Sequence, residues 1–197
     1  MTDKKICKNN KLTGIAALYF LGVFVGTVLY SFTPLEHAEL FKPAVDNFIS
    51  GRFNKEFSEI LINSFCEPFL MLAICFLLGL SAIAQPVEYL IPVFHGFGTG
   101  ITLTGIYDMY SADGIGMCAV MIIPGTIISA FAVIIAVREA LNMSSEICLS
   151  SFGKNIIGAK IDFKLYFTKY VILCVIAAIG AFAESAFVFL FADFWQL

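Results

Sequence analysis

The chain has 197 residues, of which 59% are hydrophobic and only 14% charged, with 21 phenylalanines and a net charge of −3. Ordinary soluble domains run near ~45–50% apolar and ~25% charged, and a water-soluble domain this small has too little interior to hide so much apolar surface. Composition therefore points to a lipid environment, and the small net charge excludes a nucleic-acid footprint or an acidic tail.

The first apolar run, 14–32, follows a basic leader of Lys4, Lys5, Lys8 and Lys11. It exceeds the ~7–15-residue core of a cleaved signal peptide, and no A-x-A-like site follows it, so it reads as a retained span. The connection 33–64 opens with Thr33-Pro34-Leu35-Glu36, a capping box with Pro at the first helical position. Phe41, Val45, Phe48 and Ile49 follow at helical spacing, then Phe53, Phe57, Ile60 and Leu61 after Ser50-Gly51. This predicts one or two amphipathic helices lying on the outer leaflet or capping the bundle, with Phe41 and Phe48 on the buried face.

The second and third runs, 65–84 and 87–107, are separated only by Gln85-Pro86 and predict a tight helical hairpin. The fourth run covers 115–137 and the fifth 170–191. Each has roughly the ~20 residues that a helix needs to cross a ~30 Å hydrocarbon core. Barrel strands are excluded, because they run ~10 residues with alternating polarity and these runs are continuously apolar. The connection 138–169 interleaves lysines with Ile147, Phe152, Ile156 and Ile161, as in a basic interfacial helix. The expected fold is a single all-α membrane domain, a polytopic transmembrane helix bundle of about five spans.

Basic residues set the orientation. With the N-terminus inside, the inner segments hold Lys4, Lys5, Lys8, Lys11, Arg138, Lys154, Lys160, Lys164 and Lys169, nine against Lys42, Arg52 and Lys55 outside. The C-terminus is then external, and Trp195 fits an interfacial anchor there.

Charges within lipid cost several kcal/mol unless paired or wet, so Glu184 is the sharpest signal. Counting from Tyr170 places it about 21 Å up from the inner face, and Glu67 lies just inside the outer end of the second span. These carboxylates suit a proton or cation site or a partner contact, against a protonated or hydrogen-bonded Glu that fixes packing, which is favoured. His95, about 12 Å from the inner face by the same count, is read as a helix-to-helix hydrogen bond well below Glu184, with no direct pair expected. Gly96 and Gly100, like Gly22 and Gly26, have the small-xxx-small spacing that lets helices approach closely. Pro124-Gly125 interrupts the fourth span and is read as a kink. The six cysteines form no C-x-x-C pair, and with two histidines no zinc-ligand spacing appears. No metal or cofactor site is expected.

Enzyme motifs are missing: H-E-x-x-H, G-x-S-x-G and a glycine-rich phosphate loop do not occur. No catalytic residue is assigned. Leu21-Gly22-Val23-Phe24-Val25-Gly26-Thr27 in the first span, Ile122-Ile123-Pro124-Gly125-Thr126-Ile127-Ile128-Ser129-Ala130-Phe131-Ala132 and Val137-Arg138-Glu139-Ala140-Leu141 in the fourth, and Ala177-Ala178-Ile179-Gly180-Ala181-Phe182-Ala183-Glu184 in the last are arranged in a familiar order. Nearly end to end, the chain resembles the stage II sporulation protein M family. The resemblance implies a five-span bacterial cell-membrane protein that acts as a non-enzymatic scaffold in forespore engulfment. Its implied partners are the lipid bilayer and two peptidoglycan-remodelling proteins, the stage II sporulation proteins D and P, with no nucleic acid. The alternative is a small transporter or permease subunit using Glu184, Glu67 and the Pro124-Gly125 break.

Overall fold

A computed structural model describes residues 2–33, 42–50, 56–152 and 162–191, and every element among them is helical. In chain order these are α1 (Thr2–Phe32), α2 (Lys42–Ser50), α3 (Phe57–Gly79), α4 (Gln85–Met117), a π-helical turn (Cys118–Ile122), α5 (Ile123–Phe152) and α6 (Phe163–Phe191). Long apolar sequences in lipid must satisfy every backbone group internally, and the helix does so within one segment. Four stretches are long and apolar enough to cross a membrane: Lys11–Phe32, Phe57–Gly79, Ile123–Ser151 and Phe163–Phe191. The expected third span, 87–107, is not among them. Glu88, His95, Thr99, Thr102 and Thr104 lower its hydropathy, although α4 is as long as its neighbours.

Helix boundaries differ from those of the apolar runs. Phe57, Ile60 and Leu61 do not form a separate amphipathic helix, because α3 begins at Phe57 and continues into the second run. Nor does the chain leave the bundle at Val137. α5 continues to Phe152, and Ala140, Leu141, Met143 and Ser144 remain buried. A hairpin joins α3 to α4 through residues 80–84, where the Ser81 N–H donates to the Leu78 carbonyl (2.8 Å) and the Val87 N–H to that of Ala84 (2.9 Å). Pro86 sits in the first turn of α4, where its missing N–H costs nothing.

α4 is broken at Ser111, whose φ of 52° and ψ of −127° are not helical. Beyond it, a Cβ on Gly114 would lie 2.7 Å from the Ile106 carbonyl oxygen. Eight residues along a straight helix span about 12 Å, so the chain doubles back here and the 123–152 helix runs antiparallel to 85–110. The π-helical turn follows, with the Ile123 N–H reaching the Cys118 carbonyl. It widens the helix just ahead of Pro124, which has no N–H to give. Helical geometry then continues through Pro124-Gly125, so the irregularity in this span is the π-helical turn just before them.

Two apolar cores are stacked along the bundle. One, near the 80–84 hairpin, gathers Leu72 of α3, Ile91 of α4, Val133 of α5 and Leu173 and Ala177 of α6. The other, near α2, gathers Val45, Ile60, Ile106, Ile122 and Val188. Between them, each of the four helices α3 to α6 passes through a polar layer.

Candidate functional site

The polar layer is a cavity of about 40 Å³, lined by Ser64, Glu67, His95, Thr99, Thr102, Thr126, Ser129 and Glu184, with Phe48 of α2 at its edge. Four helices supply it by simple register. On α3 the layer residues Ser64 and Glu67 lie between Ile60 and Leu72, and on α6 Glu184 lies between Ala177 and Val188. On α4, His95, Thr99 and Thr102 recur at steps of four and three and so share one face.

His95 is 4% exposed and Glu184 6%. The His95 Nδ1 stands 3.8 Å from Glu67 Oε1, near enough for charge attraction and beyond hydrogen-bonding distance. Among the described residues neither His95 nitrogen meets a hydrogen-bond partner, and the same holds for the Ser64 hydroxyl. The Tyr19 ring of α1 leans on the imidazole, centroids 5.7 Å apart, and its hydroxyl donates to Thr99 Oγ1 at 3.4 Å.

Depth counting had separated these groups, and the structure brings them to one cavity. The count took the ends of apolar runs as common membrane faces. α3 starts at Phe57, eight residues before the second run, and α6 at Phe163, seven before the fifth. Glu67 is consequently about 15 Å along its helix, not at its end.

The glycines occupy two kinds of contact. A Cβ on Gly22 would lie 2.2 Å from the Val93 carbonyl oxygen, and one on Gly96 would lie 2.2 Å from that of Tyr19. Gly26 meets Phe97 and Gly100 meets Val23 in the same way, so α1 and α4 run parallel with their backbones in contact. Gly125 instead makes room for a side chain: a Cβ there would sit 2.6 Å from both Cβ and Oε2 of Glu184. The missing side chain of Gly125 thus seats the buried carboxyl. Phe48 is half-buried against the apolar core near α2, while Phe41 and the Thr33-Pro34-Leu35-Glu36 box lie partly or wholly outside the described residues.

The sequence profile described as stage II sporulation protein M matches residues 15–188, most of the chain. The chain belongs to that family. As a stage II sporulation protein M relative with four long apolar helices, it is a multi-pass membrane protein of sporulation. The match takes in the α1–α4 glycine contact and every residue of the polar layer. No curated protein and no solved structure matches the chain.

Sequence reasoning missed Glu88. It is wholly buried in the first turn of α4, and neither carboxyl oxygen meets a hydrogen-bond partner among the described residues. Its position two turns before His95, at i and i+7, is the signal that was available. Tyr166 and Tyr170 were also passed over. Their hydroxyls donate to the carbonyls of Phe76 (3.0 Å) and Ala136 (2.8 Å), pinning α6 to α3 and α5.

Proposed function

We propose that this protein is a non-enzymatic scaffold in the bacterial cell membrane, holding peptidoglycan-remodelling partners at the septum during forespore engulfment. The family resemblance supplies the identity of the partners, the stage II sporulation proteins D and P. The observation that carries the reading is the seating of α2. Val45 is fully buried, in contact with Gly105 of α4, while Asp46 and Asn47 are exposed. A nine-residue helix is too short to hold its shape alone in water. Docked on the bundle, it becomes a fixed platform that presents a polar face.

Val45→Asp places an unpaired charge in that apolar seat. The variant is expected to insert normally yet recover several-fold less partner in pull-downs from sporulating membranes. Asp46→Lys keeps the seat and reverses the presented charge, and should weaken recovery without altering thermal stability. Full recovery with both variants would remove α2 from the scaffold's contact surface.

In this reading the bundle crosses the membrane five times, α4 included, with the N-terminus cytoplasmic and the α2 end external. The nine-to-three distribution of basic residues supports it. In a chain freed of its six cysteines, an impermeant thiol reagent applied outside should label a cysteine at Glu56 or Gln196. It should miss one at Lys5 or Lys154. Labelling of Lys154→Cys from outside would sink the five-crossing topology.

The transporter reading draws on the polar layer, but apolar cores stand on both sides of that layer. A solute path would have to open through each. The layer is better explained as a local polar pocket, open at Glu67, than as a path through the bundle.

A further inference from the structure

We infer that the polar layer is a hydrated proton-binding chamber, in which His95 takes up one proton opposite the carboxylate of Glu67. The inference rests on the geometry of the layer and does not depend on the scaffold reading.

The chamber's volume of about 40 Å³ is room for roughly three waters at ~10–15 Å³ each. Water is stable in such a space only with two to four polar partners, and an apolar cavity stays dry. Here the partners exist, and they are mostly acceptors. Thr99 donates its hydroxyl hydrogen to the His95 carbonyl, Thr126 to that of Ile122 and Ser129 to that of Thr126, each at 3.0 Å. With their hydrogens spent on their own helices, these oxygens offer lone pairs to the chamber.

Into this acceptor-rich space projects a buried imidazole whose two nitrogens meet no hydrogen-bond partner among the described residues. A neutral ring has one donor and one acceptor nitrogen; an imidazolium has two donors. The surroundings call for donors, so the protonated ring satisfies more of them. Tyr19 from α1 and Glu67 from α3 stand against the ring, and Glu184 from α6 lines the same cavity. α5 contributes only the Thr126 and Ser129 hydroxyls, and α2 only Phe48. The Glu67 carboxylate, 3.8 Å from Nδ1, offsets the charge of one imidazolium. A metal ion fits poorly, because no cluster of three His, Cys, Asp or Glu side chains converges among the described residues.

The step is a plain transfer: hydronium gives its proton to the free imidazole nitrogen, leaving water in the chamber and an imidazolium beside the Glu67 carboxylate. No other bond changes.

The experiment is an imidazole NMR titration of the full chain in lipid nanodiscs. The chain has two histidines, so His37→Gln leaves His95 as the sole reporter. The expected result is one protonation step of the ring as the pH falls. In Glu67→Gln the imidazolium fraction at the parent's midpoint pH should fall at least about threefold, because the change removes a charge beside the ring. Phe94→Leu, on the exposed face of α4, should leave the curve unchanged. A ring that shows no step, or a step that Glu67→Gln leaves in place, overturns the proposal. So does a curve that shifts when sodium replaces choline at equal ionic strength, which would assign the charge to an alkali cation. The Glu67 side chain is half exposed, so Glu67→Gln is tolerated by the fold.

Discussion

Gly96→Ala should lower the stability of the bundle by about 1–3 kcal/mol, the usual cost of overpacking, and Gly96→Leu should separate α1 from α4. The reason is what the added atoms would meet. A Cβ at Gly96 falls 2.2 Å from the Tyr19 carbonyl oxygen and 3.0 Å from the Val23 nitrogen, both backbone. A flexible side chain could swing aside; a helix backbone has to translate. The same displacement would break the reciprocal contact of Gly22 with Val93, so the loss propagates along the α1–α4 seam. Gly98 provides the control. It lies on the same helix two residues away, and a Cβ there meets nothing within 4 Å. Gly98→Ala should therefore be neutral or stabilising by up to ~1 kcal/mol through helix propensity alone. Thermal unfolding of the purified variants, with disulfide crosslinking between cysteines introduced on α1 and α4, reads both effects. Equal melting of Gly96→Ala and Gly98→Ala would show that the seam tolerates more space than the contact implies.

The seam shows what the sequence discloses and what it withholds. Gly22 and Gly26 share a spacing of four with Gly96 and Gly100, and that spacing marks close-packing faces. Nothing in a single sequence says that these two faces meet each other, with helices separated by some 70 residues of chain running parallel. The helical character of the apolar runs was equally plain, because a continuous apolar run of ~20 residues has few other solutions in lipid. Their ends were not. Phe57 to Ser64 and Arg138 to Phe152 are helical beyond the apolar runs, and some of their polar residues find partners elsewhere in the bundle. Lys169 pairs with Glu139, and Ser144 donates to the Ser81 carbonyl at 2.7 Å. Hydropathy sees such residues as loop.

The polar layer was legible only in part. Glu184, Glu67 and His95 are conspicuous in apolar surroundings, and each was singled out for that reason. Thr99, Thr102, Thr126 and Ser129 are not conspicuous, since threonine and serine are ordinary in membrane helices and bond to their own turns. Only the convergence of four helices makes their oxygens a common lining. Glu88 escaped because it stands beside Pro86 at a helix start, where a carboxylate is unremarkable near the positive end of the dipole. That the fold buries it completely is a property of the packing of α4 against its neighbours.

Glu184 is where scaffold and transporter part most clearly. The side chain lies across Gly125, with its Cβ and Oε2 each 2.6 Å from where a Cβ would stand on that glycine, and it is all but closed from the surface. Glu184→Gln preserves the length, the planar head and the capacity to accept and donate hydrogen bonds, so the seat beside Pro124 remains filled. Stability should change by less than about 1 kcal/mol, and sporulating cells should still complete engulfment. Glu184→Ala removes the head and stem, leaving a gap over Gly125 and stranding the polar groups that faced it. A loss of about 2–4 kcal/mol is expected from the cavity and the unsatisfied partners together, with engulfment failing through a misfolded bundle. A transporter that exchanges a proton at this carboxyl requires the reverse ordering for Gln, because an amide does not titrate. Membrane fractionation, thermal unfolding and fluorescence imaging of engulfment separate the outcomes. A Glu184→Gln protein that inserts and melts like the parent, yet leaves engulfment blocked, would show that the carboxyl acts by titrating and not by filling its seat.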